Sequence, residues 1–248
     1  MEKLMSGNLH NKVAVITGGA GGLGLVVAQA FSREGAKVVL LGRNEEKLHL
    51  AKAQLEQLDA QCLTVVANAA DPQEISSAMS HIQETMGALD ILVNCAGVFI
   101  WKGFLDLEPN HWETTIQSNL SAAFFATQAF ARRVVESEKP ASVINISSIH
   151  GLVGDGGVVP HCASKFGLIG LTEASAEALR NHGIRVNCLS PGAIEPNSET
   201  HSDNNLKAKV TQAELAKMCV FLGSEQSGNL TGTNLNAFGI TRPVIASK

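Results

Sequence analysis

Short apolar runs alternate with longer segments of helical periodicity along most of this chain. The runs are rich in Val and Ile and apolar on both faces, which is typical of strands in a parallel sheet covered on both sides. They lie at residues 13–16, 38–41, 63–66, 91–93, 143–146 and 184–189. The helical segments lie at residues 22–34, 45–58, 72–86, 109–135 and 162–181. This alternation predicts an α/β fold, with right-handed βαβ crossovers and an open, doubly wound sheet.

One polar stretch interrupts the alternation late in the chain. Residues 192–205 read GAIEPNSETHSDNN and follow the carboxyl end of a predicted strand, where open α/β sheets bind their ligands. The stretch is either a solvated connection or a lid over a site, and we assign residues 192–212 to a substrate lid. Because no shift in composition marks a linker, we expect residues 1–248 to form one domain.

Composition and charge narrow the class of protein. The chain has 248 residues, 45% hydrophobic and 17% charged, which excludes a disordered polymer. A net charge of −4 without a basic cluster argues against nucleic acid as a partner. No apolar run is long enough to span a membrane, and the first ten residues have no apolar stretch, so we expect no secretory signal. The five cysteines are widely spaced and form no metal-binding pattern, so we expect reduced thiols, no metal and a cytoplasmic location.

A glycine-rich turn follows the first predicted strand and precedes the first helix. The segment from Thr17 to Gly24 reads TGGAGGLG. Glycines allow the backbone to turn sharply and to approach a pyrophosphate, while the helix N-terminus supplies positive potential. In this strand–turn–helix context the motif predicts a dinucleotide site rather than a plain tight turn. The residues expected at the dinucleotide are Gly18, Gly21, Gly22, Leu23 and Gly24.

The end of the second strand bears on the choice of cofactor. An acidic residue at this place would bind the ribose hydroxyls of NAD, but the chain has Gly42, followed by Arg43 and Asn44. Arg43 is either an ordinary surface arginine or a cation for a 2′-phosphate. We therefore expect NADP(H) to be preferred, with NAD(H) possible.

Several motifs in fixed order carry a family resemblance. After the TGxxxGxG turn come Asn94-Cys95-Ala96-Gly97, Asn119, Ser148, Lys165 and Ser190-Pro191-Gly192. This set resembles the short-chain dehydrogenase/reductase family over nearly the whole chain. The resemblance implies a single-domain Rossmann fold with a seven-stranded parallel sheet, helices on both faces, and hydride transfer between a nicotinamide cofactor and a carbonyl or alcohol. It also implies a homo-oligomer, a dimer or tetramer, built on the helices predicted at 109–135 and 162–181.

The resemblance assigns roles to individual residues. Asn94, Ala96 and Gly97 would support the adenosine side of the cofactor, and Asn68 stands where an aspartate usually faces the adenine. Pro191, Gly192 and Ile194 would lie against the nicotinamide. In the catalytic set, Asn119 would anchor a water, Ser148 would hold the substrate oxygen, and Lys165 would bind the ribose.

One residue of the catalytic set departs from the family. His161 occupies the place of the tyrosine that exchanges a proton with substrate, thirteen residues after Ser148 and four before Lys165. The chain contains no tyrosine at any position, so the loss is not peculiar to this site. Histidine falls short of a tyrosine oxygen by roughly 2 Å. The neighbouring lysine should keep the ring neutral, although a neutral imidazole can still polarise a carbonyl. His150 is either a second proton donor or, as we expect, a surface-loop histidine.

Two hypotheses of function therefore remain. The first is an active, NADP-dependent reductase or dehydrogenase in which His161 replaces the tyrosine as proton donor or polariser. The second is a catalytically impaired relative that binds NADP(H) and serves as a structural or regulatory subunit, possibly in a heteromer with an active chain. The presence of Asn119, Ser148 and Lys165 favours the first.

Overall fold

Nine strands lie within the described part of the chain, residues 7–195 and 209–239 of a computed structural model. The strands are β1 (Val13–Thr17), β2 (Lys37–Gly42), β3 (Cys62–Val66), β4 (Ile91–Asn94), β5 (Ala141–Ile146), β6 (Ile184–Pro191), β7 (Ala193–Glu195), β8 (Lys209–Thr211) and β9 (Asn234–Ala237). The first six begin within one residue of the predicted runs, or two for β5, and most of these six continue slightly further; β7, β8 and β9 had no predicted run.

Seven of these strands form one parallel sheet in the order β3-β2-β1-β4-β5-β6-β9. The strand order reverses beside β1, which creates the crevice where such sheets bind ligands. Alternate residues of β1 enter two different cores: Val13 and Val15 face one layer of helices, and Ala14 and Ile16 face the other. The doubly wound, seven-stranded sheet is thereby confirmed.

Helices cover both faces of the sheet. α1, α2 and α7 pack over the core that contains Phe31 and Leu222, while α3, α5 and α6 pack over the core that contains Phe130. The helices are α1 (Gly22–Arg33), α2 (Glu45–Glu56), α3 (Pro72–Met86), α4 (Pro109–Ile116), α5 (Ala122–Ser137), α6 (Val159–Leu179) and α7 (Gln212–Gly223).

The predicted helix 109–135 is not continuous. A five-residue π-helical segment, Gln117–Ser121, separates α4 from α5 and contains the buried Asn119. Segments of this kind insert an extra residue into the helix and often occur at functional sites. The prediction of one regular helix is therefore corrected, because amphipathic periodicity alone does not reveal a local widening of the turn.

The predicted lid needs a second correction. Strands β7 and β8 pair in parallel, with Ala193 opposite Lys209 and Glu195 opposite Thr211, and Gln212 already belongs to α7. The ends of the 192–212 segment are thus regular structure, and residues 196–208 lie outside the described part. A capping box between Thr211 and Glu214 begins α7, a signal in the sequence that the prediction of a loop overlooked.

The remaining global expectations concern thiols and membranes. All five cysteines are free, three of them buried and two half-buried. None of the helices in the described ranges is both long and apolar enough to cross a bilayer.

Candidate active site

The predicted site residues converge at the carboxyl ends of the central strands. A cavity of about 940 Å³ runs from the glycine turn to the segment after β6, and it includes Asn119, Ser148, His161 and Lys165. A smaller cavity of about 230 Å³ continues it past the ends of β2 and β3. We call the two together the cleft. Its position beside β1 matches the reversal in strand order.

The glycine turn forms one wall of the cleft by close backbone packing. Gly18 has a φ of +68°, and a Cβ there would lie 2.8 Å from the Cα of Ala96. A Cβ on Gly24 would overlap the carbonyl oxygen of Gly18. Gly21 and Gly22, in contrast, have open space where a Cβ would stand. Gly18 and Gly24 therefore allow the close packing of the turn, whereas Gly21 and Gly22 leave room for a ligand.

The N-terminus of α1 faces this open space. Its N-cap, Gly21, provides no side-chain hydrogen bond to the first helical N–H groups, and the first turn contains no acidic residue. Uncapped N–H groups at a helix start favour an anion such as a pyrophosphate. The turn therefore fits the dinucleotide that the sequence predicts.

The outer end of the cleft contains Arg43, Asn44 and Asn68. Arg43 is exposed, so its guanidinium is available to a phosphate. Asn44 also caps α2, accepting a hydrogen bond from the Lys47 N–H at 2.8 Å. The Asn68 Oδ1 atom accepts a hydrogen bond from the Ala70 N–H at 3.1 Å, which positions this side chain in a turn.

Asn94 lies behind the cleft, in the sheet. Its Nδ2 donates hydrogen bonds to Asn145 Oδ1 at 2.8 Å and to Thr127 Oγ1 at 3.0 Å. The N–H of Ala96 donates to Thr17 Oγ1 at 3.2 Å, and both Ala96 and Gly97 line the cleft. The cleft therefore contains Ala96 and Gly97, whereas Asn94 connects the strand that carries them to its neighbours.

Asn119 joins three parts of the site. Its Oδ1 accepts a hydrogen bond from the Val98 N–H at 2.7 Å, and its Nδ2 donates to the Val98 carbonyl at 3.0 Å. The same Nδ2 lies 3.1 Å from Ser164 Oγ and 3.4 Å from His161 Nδ1. The π segment places this amide between the loop after β4 and the first turn of α6. Asn119 therefore has a structural role, because its amide ties the loop after β4 to α6.

His161 is held neutral by its surroundings. Only 8% of its surface is exposed, and it packs edge-on against Phe99, with ring centroids 4.8 Å apart. Burial, followed by the charges of Lys165 and His150, lowers the pKa of His161 to about 4, although a hydrogen bond with the Val98 backbone opposes the shift. At neutral pH this imidazole can polarise a carbonyl by hydrogen bonding but has no imidazolium proton to give.

Lys165 lies one helical turn further along α6, also buried. Its Nζ donates a hydrogen bond to the Ile146 carbonyl at 2.7 Å. Desolvation lowers the pKa of Lys165 to about 8, while the neighbouring Cys95 and Cys188 oppose that shift. The ammonium lies close to Gly97, since a Cβ there would be 4.0 Å from Nζ. It is therefore placed beside the backbone on the glycine-turn side of the cleft. We call that side, where the cofactor is expected, the cofactor half, and the side that contains Ser148 and His161 the substrate half.

Ser148 opens a short 3₁₀ turn at the end of β5. Its Oγ accepts a hydrogen bond from the His150 N–H at 3.2 Å, and both residues line the cleft. The His150 ring lies 5.7 Å from the His161 ring, nearly perpendicular to it, and His150 Nε2 is 3.6 Å from Asp155 Oδ2. The sequence prediction missed both Asp155 and Phe99, which also line the cleft. No motif marks them, because they enter the site from loops.

The segment after β6 closes the far side of the cleft. Pro191, Gly192, Ala193 and Ile194 all line it. The Gly192 N–H donates to the Ala237 carbonyl at 2.8 Å, which ties this segment to β9. The predicted nicotinamide contacts thus face the same space as Ser148 and His161.

Comparisons with known proteins agree with this geometry. The family model for short chain dehydrogenase matches residues 12–207. The chain belongs to the short-chain dehydrogenase family. It is 31% identical over 246 residues to 3-oxoacyl-(acyl-carrier-protein) reductase of Chlamydia trachomatis, which covers 95% of this chain and 99% of that protein.

Two further relatives extend the comparison. L-rhamnose-1-dehydrogenase of Scheffersomyces stipitis is 33% identical over 248 residues, covering 93% of this chain and 96% of that protein. The crystal structure of a short-chain type dehydrogenase/reductase from Mycobacterium marinum matches with a TM-score of 0.88 and 27% identity, over 95% of this chain and 98% of that chain. These relatives are oxidoreductases, and membership in this oxidoreductase family is confirmed.

Proposed function

We propose that this short-chain dehydrogenase interconverts a carbonyl and an alcohol with NADP(H) as its preferred cofactor. One observation carries the proposal: a single cleft joins the glycine turn to Ser148, His161 and Lys165. When bound, the cofactor supplies or accepts the hydride. Arg43, exposed at the outer end of the cleft, supports the choice of NADP(H).

The chain's own residues would orient the substrate oxygen, hold the ribose and fix the geometry of the site. The Ser148 hydroxyl donates a hydrogen bond to the substrate oxygen, and the neutral His161 ring polarises it from the other side. Lys165 holds the ribose with its buried ammonium, and the lysine charge also disfavours protonation of His161. Asn119 keeps the loop after β4 and the start of α6 at a fixed distance.

The names of the relatives suggest which substrates to test. One acts on a 3-oxoacyl group and another on L-rhamnose. Oxidation of NADPH should be followed at the nicotinamide absorbance with ketones, aldehydes and a 3-oxoacyl thioester, and reduction of NADP⁺ with sugars such as L-rhamnose. We expect measurable turnover of a restricted set of substrates, abolished in His161→Phe and Lys165→Ala.

His161→Tyr separates the two hypotheses from the sequence. In a site adapted to histidine the longer phenol occupies space that the substrate needs, and activity falls. In an impaired relative the phenol restores the proton donor, and activity rises by about 100-fold or more. If all of these proteins bind NADP(H) and none turns over any substrate, a binding or scaffold role remains.

The lost tyrosine is the observation that favours this second function. A non-catalytic, NADP(H)-binding subunit would retain the glycine turn, as this chain does, while its proton donor is free to change. Co-purification from the native cell of a related chain with an intact Tyr-x-x-x-Lys motif would support it.

Exposed aromatic side chains support assembly into a dimer or tetramer. Trp112 on α4, Phe124 on α5 and Phe166 on α6 each expose more than two fifths of their surface. Large contiguous apolar patches on a protein surface mark sites of contact with another molecule, and these side chains lie on the helices expected to form such a contact. We propose that the partner is a second copy, with these helices in the interface.

A further inference from the structure

A second imidazole stands in the cleft, and the function proposed above does not use it. His150 lines the same cavity as Ser148 and His161, and the two imidazole rings are 5.7 Å apart. From the sequence, we expected His150 to be a surface-loop histidine. The structure instead gives His150 a half-buried position between the catalytic serine and an acidic side chain.

Asp155 is the acidic side chain, and it is held in place from several directions. Its Oδ1 accepts a hydrogen bond from the Gly157 N–H at 2.8 Å, and its own N–H donates to Cys162 Sγ at 3.3 Å. The other carboxylate oxygen, Oδ2, lies 3.6 Å from His150 Nε2. At 3.6 Å the carboxylate lies close enough to attract a protonated imidazole, although it is not hydrogen-bonded to the ring as in the histidine–aspartate pairs of many enzymes.

The backbone of His150 is fixed as well. Its N–H donates to Ser148 Oγ at 3.2 Å, which ties the histidine to the serine expected to hold the substrate oxygen. Its ring stacks near Phe99, with centroids 6.4 Å apart. Among the described residues, the charged or titratable groups found against it are Asp155 and His161. His150 therefore lies beside the serine expected to hold the substrate oxygen, and its neighbour is a carboxylate, whereas the neighbour of His161 is the Asn119 amide.

His161 by itself is poorly suited to donate a proton to the substrate. Its Nδ1 faces the Asn119 amide at 3.4 Å, and the ring is buried against Phe99. Its lowered pKa leaves it uncharged at neutral pH, and the charge of His150 contributes to that shift. A neutral imidazole polarises a carbonyl well but is a poor source of a proton. The site thus lacks a proton donor in the place where the family has tyrosine.

We propose that His150, oriented by Asp155, is the catalytic acid and base of this enzyme, and that His161 only polarises the substrate oxygen. This inference rests on the proposed function. In the reducing direction the substrate carbon gains a hydride from the reduced cofactor, and the C=O π electrons move to the oxygen. That oxygen takes the proton of an N–H bond of the His150 imidazolium, which becomes neutral imidazole and is reprotonated from solvent. In the oxidising direction each step reverses.

The test compares His150→Gln and Asp155→Asn with two matched controls, using the full chain, NADPH and a substrate that the parent turns over. His81→Gln and Asp59→Asn are the controls, because both residues are exposed and lie on or beside helices away from the cleft. His150→Gln should lower kcat by on the order of 100-fold. Its KM for NADPH should equal the parent value, since His150 lies in the substrate half.

The split between kcat and KM distinguishes chemistry from a structural effect. We expect kcat to fall in His150→Gln and, to a smaller extent, in Asp155→Asn, with the KM for NADPH at the parent value, while both controls keep the parent kcat and KM. A His150→Gln enzyme with kcat within about threefold of the parent overturns the assignment and leaves the proposed function intact.

A measurement without turnover tests the pairing itself. Proton–carbon NMR of the histidine rings, with the His150 signal assigned by its absence in His150→Gln, should show that this signal changes its chemical shift in Asp155→Asn and keeps it in Asp59→Asn, because Asp155 Oδ2 lies 3.6 Å from His150 Nε2. An unchanged chemical shift in Asp155→Asn contradicts the pairing. A parent that turns over no carbonyl or alcohol overturns the proposed function, and the catalytic assignment with it.

Discussion

The two halves of the cleft are built in different ways. In the cofactor half, backbone atoms form the surface: Gly18 packs on Ala96, and the uncapped start of α1 faces the open space of the cleft. In the substrate half, side chains form it: Ser148, His150 and His161 converge from a 3₁₀ turn and the first turn of α6. A surface made of backbone tolerates few substitutions at its glycines, whereas a surface made of side chains changes with each residue.

This difference bears on the position where the family resemblance expects a tyrosine. His161 stands there, and its imidazole packs against Phe99 and Asn119 within α6. The same freedom does not exist at Gly18, where φ is positive and a neighbouring backbone lies in contact. A side chain in the substrate half can therefore be exchanged more readily than a glycine such as Gly18.

The largest expected effect comes from adding one methyl group to the cofactor half. Gly18→Ala places an L side chain at a φ of +68° and brings its Cβ to 2.8 Å from Ala96 Cα. The strain and the backbone overlap together should lower the free energy of unfolding by about 3 kcal/mol. NADPH binding should be lost as well. Urea unfolding and fluorescence titration measure the two effects.

Gly21→Ala is the matched control, since its φ of 174° is extended backbone and no atom lies within 4 Å of a Cβ there. Its unfolding free energy should stay within about 1 kcal/mol of the parent. Its NADPH affinity should fall about tenfold or more, because the methyl group occupies the space left for the pyrophosphate. Equal stability losses in both variants would contradict the distinction between packing and ligand-facing glycines.

In the substrate half, the stability of the fold should depend on the charge state of His161. Its pKa falls from 6.5 to about 4 on folding, so the unfolded chain binds more protons between those values. Folding stability therefore decreases as the pH falls through this window. At about 1.36 kcal/mol per pKa unit, the loss from this residue between pH 7 and pH 5 should be about 2 kcal/mol.

His161→Gln removes this contribution and keeps an acceptor for the Asn119 amide. Urea unfolding at both pH values should show that the variant loses about 2 kcal/mol less than the parent. The exposed His81→Gln should follow the parent curve. Parallel losses in parent and His161→Gln would show that the imidazole is not desolvated as the structure indicates.

The smallest expected effect concerns the outer end of the cofactor half, which a side chain rather than backbone completes. We expect the parent to bind NADPH about tenfold more tightly than NADH, and Arg43→Ala should remove this preference. The reason is that a charge-assisted contact between the guanidinium and the 2′-phosphate contributes about 1.5–3 kcal/mol. NADH affinity should change little. Fluorescence titration with both cofactors decides the matter, and equal affinities in the parent would refute the role assigned to Arg43.

Periodicity predicted the sheet well because buried parallel strands are short, apolar and bounded by turns. It placed β1 to β6 within a few residues and left β9 to the family resemblance, since Asn234–Ala237 includes two asparagines. Helix α7 was not among the predicted helices, and its first residue, Gln212, was included in the predicted lid because the neighbouring polar stretch concealed the start of the helix. The capping box formed by Thr211 and Glu214 would have indicated the start of α7, which hydrophobic periodicity alone did not.

In the site, sequence motifs found residues whose position along the chain is fixed by spacing. The glycine turn, Ser148 and Lys165 are of this kind. Asp155 and Phe99 were missed because they reach the cleft from irregular loops, where spacing carries no information about direction. The sequence also could not show how strongly burial desolvates the His161 ring, since this depends on packing against residues distant in sequence, such as Phe99.

The pairing of β7 with β8 has a consequence for how this enzyme can diversify. Ala193 and Glu195 pair in register with Lys209 and Thr211, so the chain is anchored by strand pairing both before and after residues 196–208. The entropy of closing a loop grows only with the logarithm of its length, and doubling the length costs about 0.6 kcal/mol. A longer or shorter sequence can be fitted between the same two strands while the sheet and the glycine turn remain unchanged.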